Sequence, residues 1–225
     1  MTCWICGGEG TTGEHLIKRS DLKAVFGTPS QSIPLFYNDK TRRDKHIGSL
    51  NAPILKSDSK ICEACNSSRT QIHDQAWEQL SNHLRTRLPE IQPGTVLRTN
   101  RIFTYKTSEF MRNVHLYFVK VFGCHINSLG IPIDLDLFSK SILNNIHHPD
   151  IYLRFGCKSE VDSAGLTDVW TAQVNGTCSF ATWFYEVGQL RVNVMYAVDG
   201  EKRDGLLGAW HPRLGTNKLI MSGFV

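Results

Sequence analysis

No apolar stretch in the 225-residue sequence reaches the roughly 18 residues that a membrane-spanning helix requires, so a helical membrane anchor is not expected. Internal repeats and low-complexity tracts are also missing, which excludes repeat architectures. The start Met-Thr-Cys-Trp has neither a basic stretch nor an apolar segment; no secretory leader is expected, and a reducing, cytoplasmic setting is. Neither sign of charge dominates: 25 Lys and Arg against 21 Asp and Glu leave +4, too small a surplus to argue for a nucleic-acid partner by itself. With 41% apolar and 20% charged residues, what remains is the composition of a folded globular protein. The informative number is seven cysteines. An odd count cannot pair off completely, and in a reducing compartment clustered cysteines hold metal more often than they form disulfides.

The charge and the cysteines are both unevenly placed. Residues 1–106 carry fifteen basic and ten acidic side chains, and residues 107–225 carry ten and eleven. Cys3, Cys6, Cys62 and Cys65 form two Cys-x-x-Cys pairs in the first half, whereas Cys124, Cys157 and Cys178 lie singly in the second and are expected to be free and buried. Ser20 is expected to cap a short helix through Phe26 that Gly27 ends, and a strand is expected over 52–61. Ile72, Ala76, Leu80, Leu84 and Leu88 recur every four residues, predicting an amphipathic helix with Trp77 off its apolar stripe. Pro89 and Pro93-Gly94 stop it and suggest a boundary between a 1–92 unit and a 93–225 unit.

Beyond the boundary, Phe110, Val114, Tyr117, Phe118, Val121 and Phe122 share a helical face, and a shorter helix is predicted over 135–145. From Ile151 onward, short Val-, Trp-, Tyr- and Phe-rich runs alternate with the turn signals Asn175-Gly176, Val187-Gly188 and Asp199-Gly200. An antiparallel meander is predicted, with Trp170, Trp183, Phe184, Tyr185, Tyr196 and Trp210 as its core. The fold class is therefore α+β. The second unit completes the fold, regulates the first, or recognises a protein partner.

Two Cys-x-x-Cys pairs supply the four thiolates that close a tetrahedral structural zinc site. With 55 residues between the pairs, the metal would tie the N-terminus to the start of the long helix. Such a site is coordinatively full and does not activate water. Chemistry is sought in the neighbours: Glu14-His15 follows the first pair and Asn66 directly follows Cys65. Glu14 and Asn66 offer oxygens suited to a hard ion such as Mg²⁺ or Mn²⁺, and His15, near its ordinary pKa of about 6.5, is a candidate general base. These are the parts of metal-assisted phosphodiester hydrolysis.

Cys-x-x-Cys, acidic-His and Cys-x-x-Cys-Asn, in this order over residues 1–85, resemble the His-Asn-His (HNH) endonucleases with a ββα-metal core, most closely their zinc-knuckle branch. The resemblance implies that His15 is the base, Glu14 the acidic ligand of the catalytic ion and Asn66 its helix-borne ligand. Glu14 stands where Asp is usual, Lys18 where a proline is common, and Asn51 is the nearest candidate for the residue that orients the base. His73 lies seven residues after Asn66, about 10.5 Å further along a helix, too far to share its ion; it is read as a DNA contact or helix surface, and Asp74 as surface. Arg69, Lys18, Arg19, Arg42, Arg43 and Lys45 are candidate phosphate contacts, the last three with Lys40 in a basic loop over 39–46. The expected activity is DNA nicking or cleavage, in a phage-defence or mobile-element setting, with a homodimer needed to cut both strands in one visit. Rival readings are a non-catalytic zinc-knuckle binding module and an RNA-cleaving toxin.

Overall fold

The computed structural model describes residues 1–39, 41–158 and 163–224; Lys40 of the basic loop lies outside them. The chain opens with the first cysteine pair, then β1 (Thr12–His15) and α1 (Arg19–Phe26). A small hairpin, β2 (Leu35–Tyr37) and β3 (Lys45–Ile47), leads through a 3-10 turn over Pro53–Leu55 to β4 (Lys56–Ile61), the short helix α2 (Glu63–Asn66) and the long helix α3 (Gln71–Arg87). β1 and β4 pair antiparallel, with Gly13 opposite Lys60 but His15 opposite Lys56, so β4 bulges by two residues beside Glu14. Gly13 permits this: a Cβ there would stand 2.6 Å from the Ser57 carbonyl oxygen.

The remaining elements are β5 (Val96–Arg98), α4 (Thr107–Leu129), α5 (Asp136–Leu143), β6 (Ile151–Cys157), β7 (Ala164–Leu166), β8 (Trp170–Val174), β9 (Thr177–Val187), β10 (Leu190–Ala197) and β11 (Lys218–Gly223). Among the described residues these strands form one seven-stranded sheet in the order β5-β11-β6-β10-β9-β7, with β8 also on β9. Asn175 and Gly176 both have positive φ and close the β8–β9 hairpin, as their sequence implies. The sheet departs from the expected antiparallel meander in two ways. β11 runs parallel to β6, and β6 lies beyond β10 rather than beside β7.

The chain is α+β, with α3 and α4 packed together over one face of the sheet. The buried stripe of α3 is His73, Ala76, Trp77, Leu80, Ser81 and Leu84. Trp77, expected off the stripe, is at its centre, and Ile72 is 45% exposed. The reason is geometric: residues four apart drift by about 40° per step, so a run of such steps leaves the buried face, while alternating three and four residues stays on it. Trp77 stacks on Tyr117 and meets Phe118 and Tyr185 edge-on. α4 is buried on every side from Val114 to Cys124, as befits a helix through the middle of a protein. One contiguous core runs from Cys3 and Ile61, through Trp77 and Phe118, to Val194 and Met221, and β5, just past residue 92, pairs with β11. Side chains from 1–92 and 93–224 thus bury one another.

Several local expectations are corrected. Ser20 lies inside α1 rather than at its cap, which is Lys18, although Gly27 ends the helix with positive φ. Trp170 is 71% exposed because it starts β8, outside the sheet's covered face. Cys124 and Cys178 are buried, but Cys157 is only half-buried. Among the described residues, no helix is long and apolar enough to cross a membrane.

Candidate functional site

The β1–β4 pair followed by α2 and α3 brings the two cysteine pairs together. Backbone hydrogen bonds from Gly7 to the Cys3 carbonyl and from Cys3 to the Gly8 carbonyl curl the first pair into a knuckle. The second pair straddles the start of α2, where the Cys65 amide donates to Cys62 Sγ. The ligand atoms of Cys3, Cys6, Cys62 and Cys65 all lie within 4.8 Å of one another, and Cys6 Sγ is 3.6 Å from Cys62 Sγ. A tetrahedral ion with metal–sulfur bonds of about 2.3 Å needs sulfurs about 3.8 Å apart, so this group can hold a metal such as zinc. The Gly8 amide and the neighbouring thiols lower the Cys6 pKa to about 6, against its small burial, whereas burial raises Cys65. Arg69 Nη1 donates to Cys65 Sγ at 2.7 Å, which anchors one edge of this exposed guanidinium on the knuckle. Trp4 lies against α4 at Gly123, where a Cβ would come within 2.6 Å of the indole.

His15 ends β1 directly across from Lys56 and is half-buried. Its Nε2 lies 3.0 Å from the Leu50 carbonyl oxygen. A carbonyl only accepts, so Nε2 carries the proton and Nδ1 keeps the lone pair of a neutral imidazole. Burial lowers the pKa of His15, and nearby Lys56, Arg19 and Lys120 act in the same direction against the Leu50 bond. The imidazole is therefore neutral at pH 7. The group that orients it is the Leu50 backbone. Neighbouring Asn51 instead accepts from Arg19 Nη1 at 3.0 Å.

The two residues expected to share a divalent ion are differently engaged. Asn66 Nδ2 donates to Thr12 Oγ1 at 3.0 Å, tying α2 to β1. Glu14 is buried, and its Oε2 lies 2.9 Å from Lys120 Nζ in the middle of α4. Lys120 also donates to both carboxylate oxygens of Asp74, at 2.9 and 3.1 Å, and to Thr70 Oγ1 at 3.3 Å. Burial alone would lower the Lys120 pKa, but Glu14 and Asp74 overcome it and hold it above its ordinary value, so the ammonium is charged. Glu14 Oε2 thus faces the Lys120 ammonium, which a divalent ion on that oxygen would have to displace, whereas the Asn66 bond to Thr12 uses Nδ2 and leaves Oδ1, the atom a metal would take, outside it; the donor set does not fit a divalent ion on Glu14 Oε2.

His73 is neither a surface residue nor a DNA contact. It is buried, its Nδ1 is 3.1 Å from Asn113 Oδ1, and burial with the Lys120 charge lowers its pKa to about 4. Asp74 is likewise partnered rather than free on the surface. Lys18 Nζ lies 3.5 Å from Glu78 Oε2. Arg42, on the loop between β2 and β3, is 3.6 Å from Asp39, and it, Arg43 and Lys45 are exposed. Sequence reasoning missed Lys120, Asp74 and Thr70 as one cluster. The available signal was a lysine inside the run Leu-Tyr-Phe-Val-Lys-Val-Phe, where a helix with no polar face leaves a charge nowhere to go but to a buried partner.

No protein-family model, curated protein or solved structure matches the chain.

Proposed function

We propose that this chain is an endonuclease of the HNH kind that hydrolyses phosphodiester bonds of DNA at His15, its fold stapled by one structural zinc on Cys3, Cys6, Cys62 and Cys65. The observation that carries the reading is the state of His15: a neutral imidazole, fixed through Nε2 to the Leu50 carbonyl, opposite Lys56 on a strand pair that leads into a cysteine knuckle and a helix. An imidazole so tied presents one nitrogen with a defined direction, which is what a general base requires.

In the proposed step His15 Nδ1 takes a proton from water, the water oxygen forms a bond to phosphorus, and the bond from phosphorus to the leaving sugar oxygen breaks. The leaving oxygen takes up a proton from solvent, and His15 returns its own. Lys56 and Arg19, close enough to act on the His15 charge, are the groups that would face the phosphate. The step uses no ion on Glu14, whose Oε2 lies against the Lys120 ammonium.

The test is incubation of the purified zinc-loaded protein and of His15→Ala with supercoiled plasmid and with structured RNA, each with Mg²⁺, with Mn²⁺ and with EDTA. Conversion of plasmid to open circle by the wild type, lost by at least about a hundredfold in His15→Ala with zinc content and melting temperature retained, is expected. Equal activity of the two proteins, or cleavage of neither substrate, overturns the reading. Cleavage of RNA alone would assign the same centre to a ribonuclease.

A further inference from the structure

Lys120 lies on α4 between Val119 and Val121, and its side chain has no solvent exposure. Burying an ammonium is costly unless charge and hydrogen bonds compensate it. Here β1 supplies Glu14, the segment leading into α3 supplies Thr70, α3 supplies Asp74, and all three converge on Nζ at 2.9 to 3.3 Å. The side chains of Glu14 and Asp74 are themselves only 11% and 21% exposed. Two carboxylates turned inward onto one point are the usual surroundings of a hard cation, which takes oxygens at about 2.0–2.6 Å. In this protein a side chain fills that point. A divalent ion entering it would have to displace Lys120 and leave a buried ammonium without its partners.

We propose that Lys120 is the resident cation of the Glu14–Asp74 site, a built-in ammonium in the position that a divalent ion would otherwise take. Glu14 then serves to clamp the end of β1, and so His15, onto α4. The His15 centre is completed by a residue from beyond position 93, and residues 1–92 alone lack its cation. This rests on the reading above only for the role given to His15; the occupant of the site does not depend on that reading.

The experiment compares zinc-loaded wild type with Glu14→Gln by Mn²⁺ titration, with free Mn²⁺ followed by electron paramagnetic resonance. The expected result is Mn²⁺ affinities within about twofold of each other, because Glu14 is not a ligand. Lys120→Ala leaves the two carboxylates without a cation and is expected to gain at least about tenfold in Mn²⁺ affinity, a gain abolished in the Lys120→Ala/Glu14→Gln double variant. A drop of about tenfold or more on Glu14→Gln in the wild-type background overturns the proposal, whether or not Lys120→Ala folds. None of these measurements involves cleavage. A protein that cuts nothing can still carry Lys120 as its cation, and an active nuclease can still refute it.

Discussion

Trp77 Nε1 on α3 donates a 2.8 Å hydrogen bond to Asp21 Oδ2 on α1, at the point where both helices meet the sheet. Asp21 is completely buried and also accepts from Ser81 Oγ, from Arg85 and from the Tyr185 hydroxyl on β9. Four donors on two oxygens satisfy the carboxylate and lock α1, α3 and β9 into one register. Asp21→Ala strands those donors in the core and is expected to cost about 3–5 kcal/mol, with Asp21→Asn, which keeps an acceptor, costing less. Guanidinium unfolding of the zinc-loaded variants measures both. A loss below about 1 kcal/mol for Asp21→Ala would show that the network does not hold the elements together.

The cysteine cluster makes a stoichiometric prediction. Mass spectrometry of the metal content should give one zinc per chain in the wild type and none in Cys62→Ser, while Cys124→Ser and Cys178→Ser keep the wild-type value because those thiols lie outside the cluster. Removing zinc with a strong chelator should lower the melting temperature, since the ion joins the knuckle before β1 to the start of α2 and its loss frees the chain between them. Retention of zinc by Cys62→Ser would contradict the assignment.

Stability should fall in mild acid. Burial lowers His73 and His211 to about 4 and His148 to about 3, and puts His115 well below its ordinary value. The unfolded chain takes up protons near pH 6.5 that the folded state refuses, so stability is full above that pH. It is lost as the pH falls from about 6.5 toward about 4, and for His148 toward about 3. Glu14 and Asp150, whose pKa values burial raises, work in the opposite direction, but they are two groups against these four. Unfolding at pH 5 should therefore take up roughly two or more protons, read from the slope of unfolding free energy against pH. A flat profile between pH 7 and 5 would mean that these imidazoles are not buried as described.

Arg42 and Arg43 sit on the exposed connection between β2 and β3, away from the core. If DNA is the substrate, replacing both with Ala should weaken binding alike for all sequences. The slope of log affinity against log salt should decrease by roughly 0.9 for each phosphate that is no longer neutralised, with the melting temperature unchanged. Fluorescence anisotropy on a short duplex at several salt concentrations reads this directly. An unchanged slope would remove the loop from the binding surface.

The candidate site was partly legible in the residues alone. The cysteine pairs were visible because three-residue spacing is a local property of a knuckle, and His15 stood out by its place after the first pair. Glu14 was visible as a residue and not as an environment. Its partner, Lys120, lies more than a hundred positions away, and no spacing rule links them. Arg69 was likewise visible only as a surface cation; that its exposed guanidinium also reaches Cys65 Sγ is set by how α2 is placed on the knuckle.

The sequence by itself determined the α+β class, the turn at Asn175-Gly176, the existence of α3 and α4 and the grouping of four cysteines. Each follows from short-range backbone geometry or from the chemistry of nearby residues. Only the tertiary structure decided that β11 joins β6 in parallel, that Trp77 is the centre of the core, and that the charge facing Glu14 is an ammonium on α4. Strand partners and buried ion pairs are chosen by through-space burial, which weighs the packing of distant residues against the cost of leaving a polar group unpaired, and a linear reading carries no term for either.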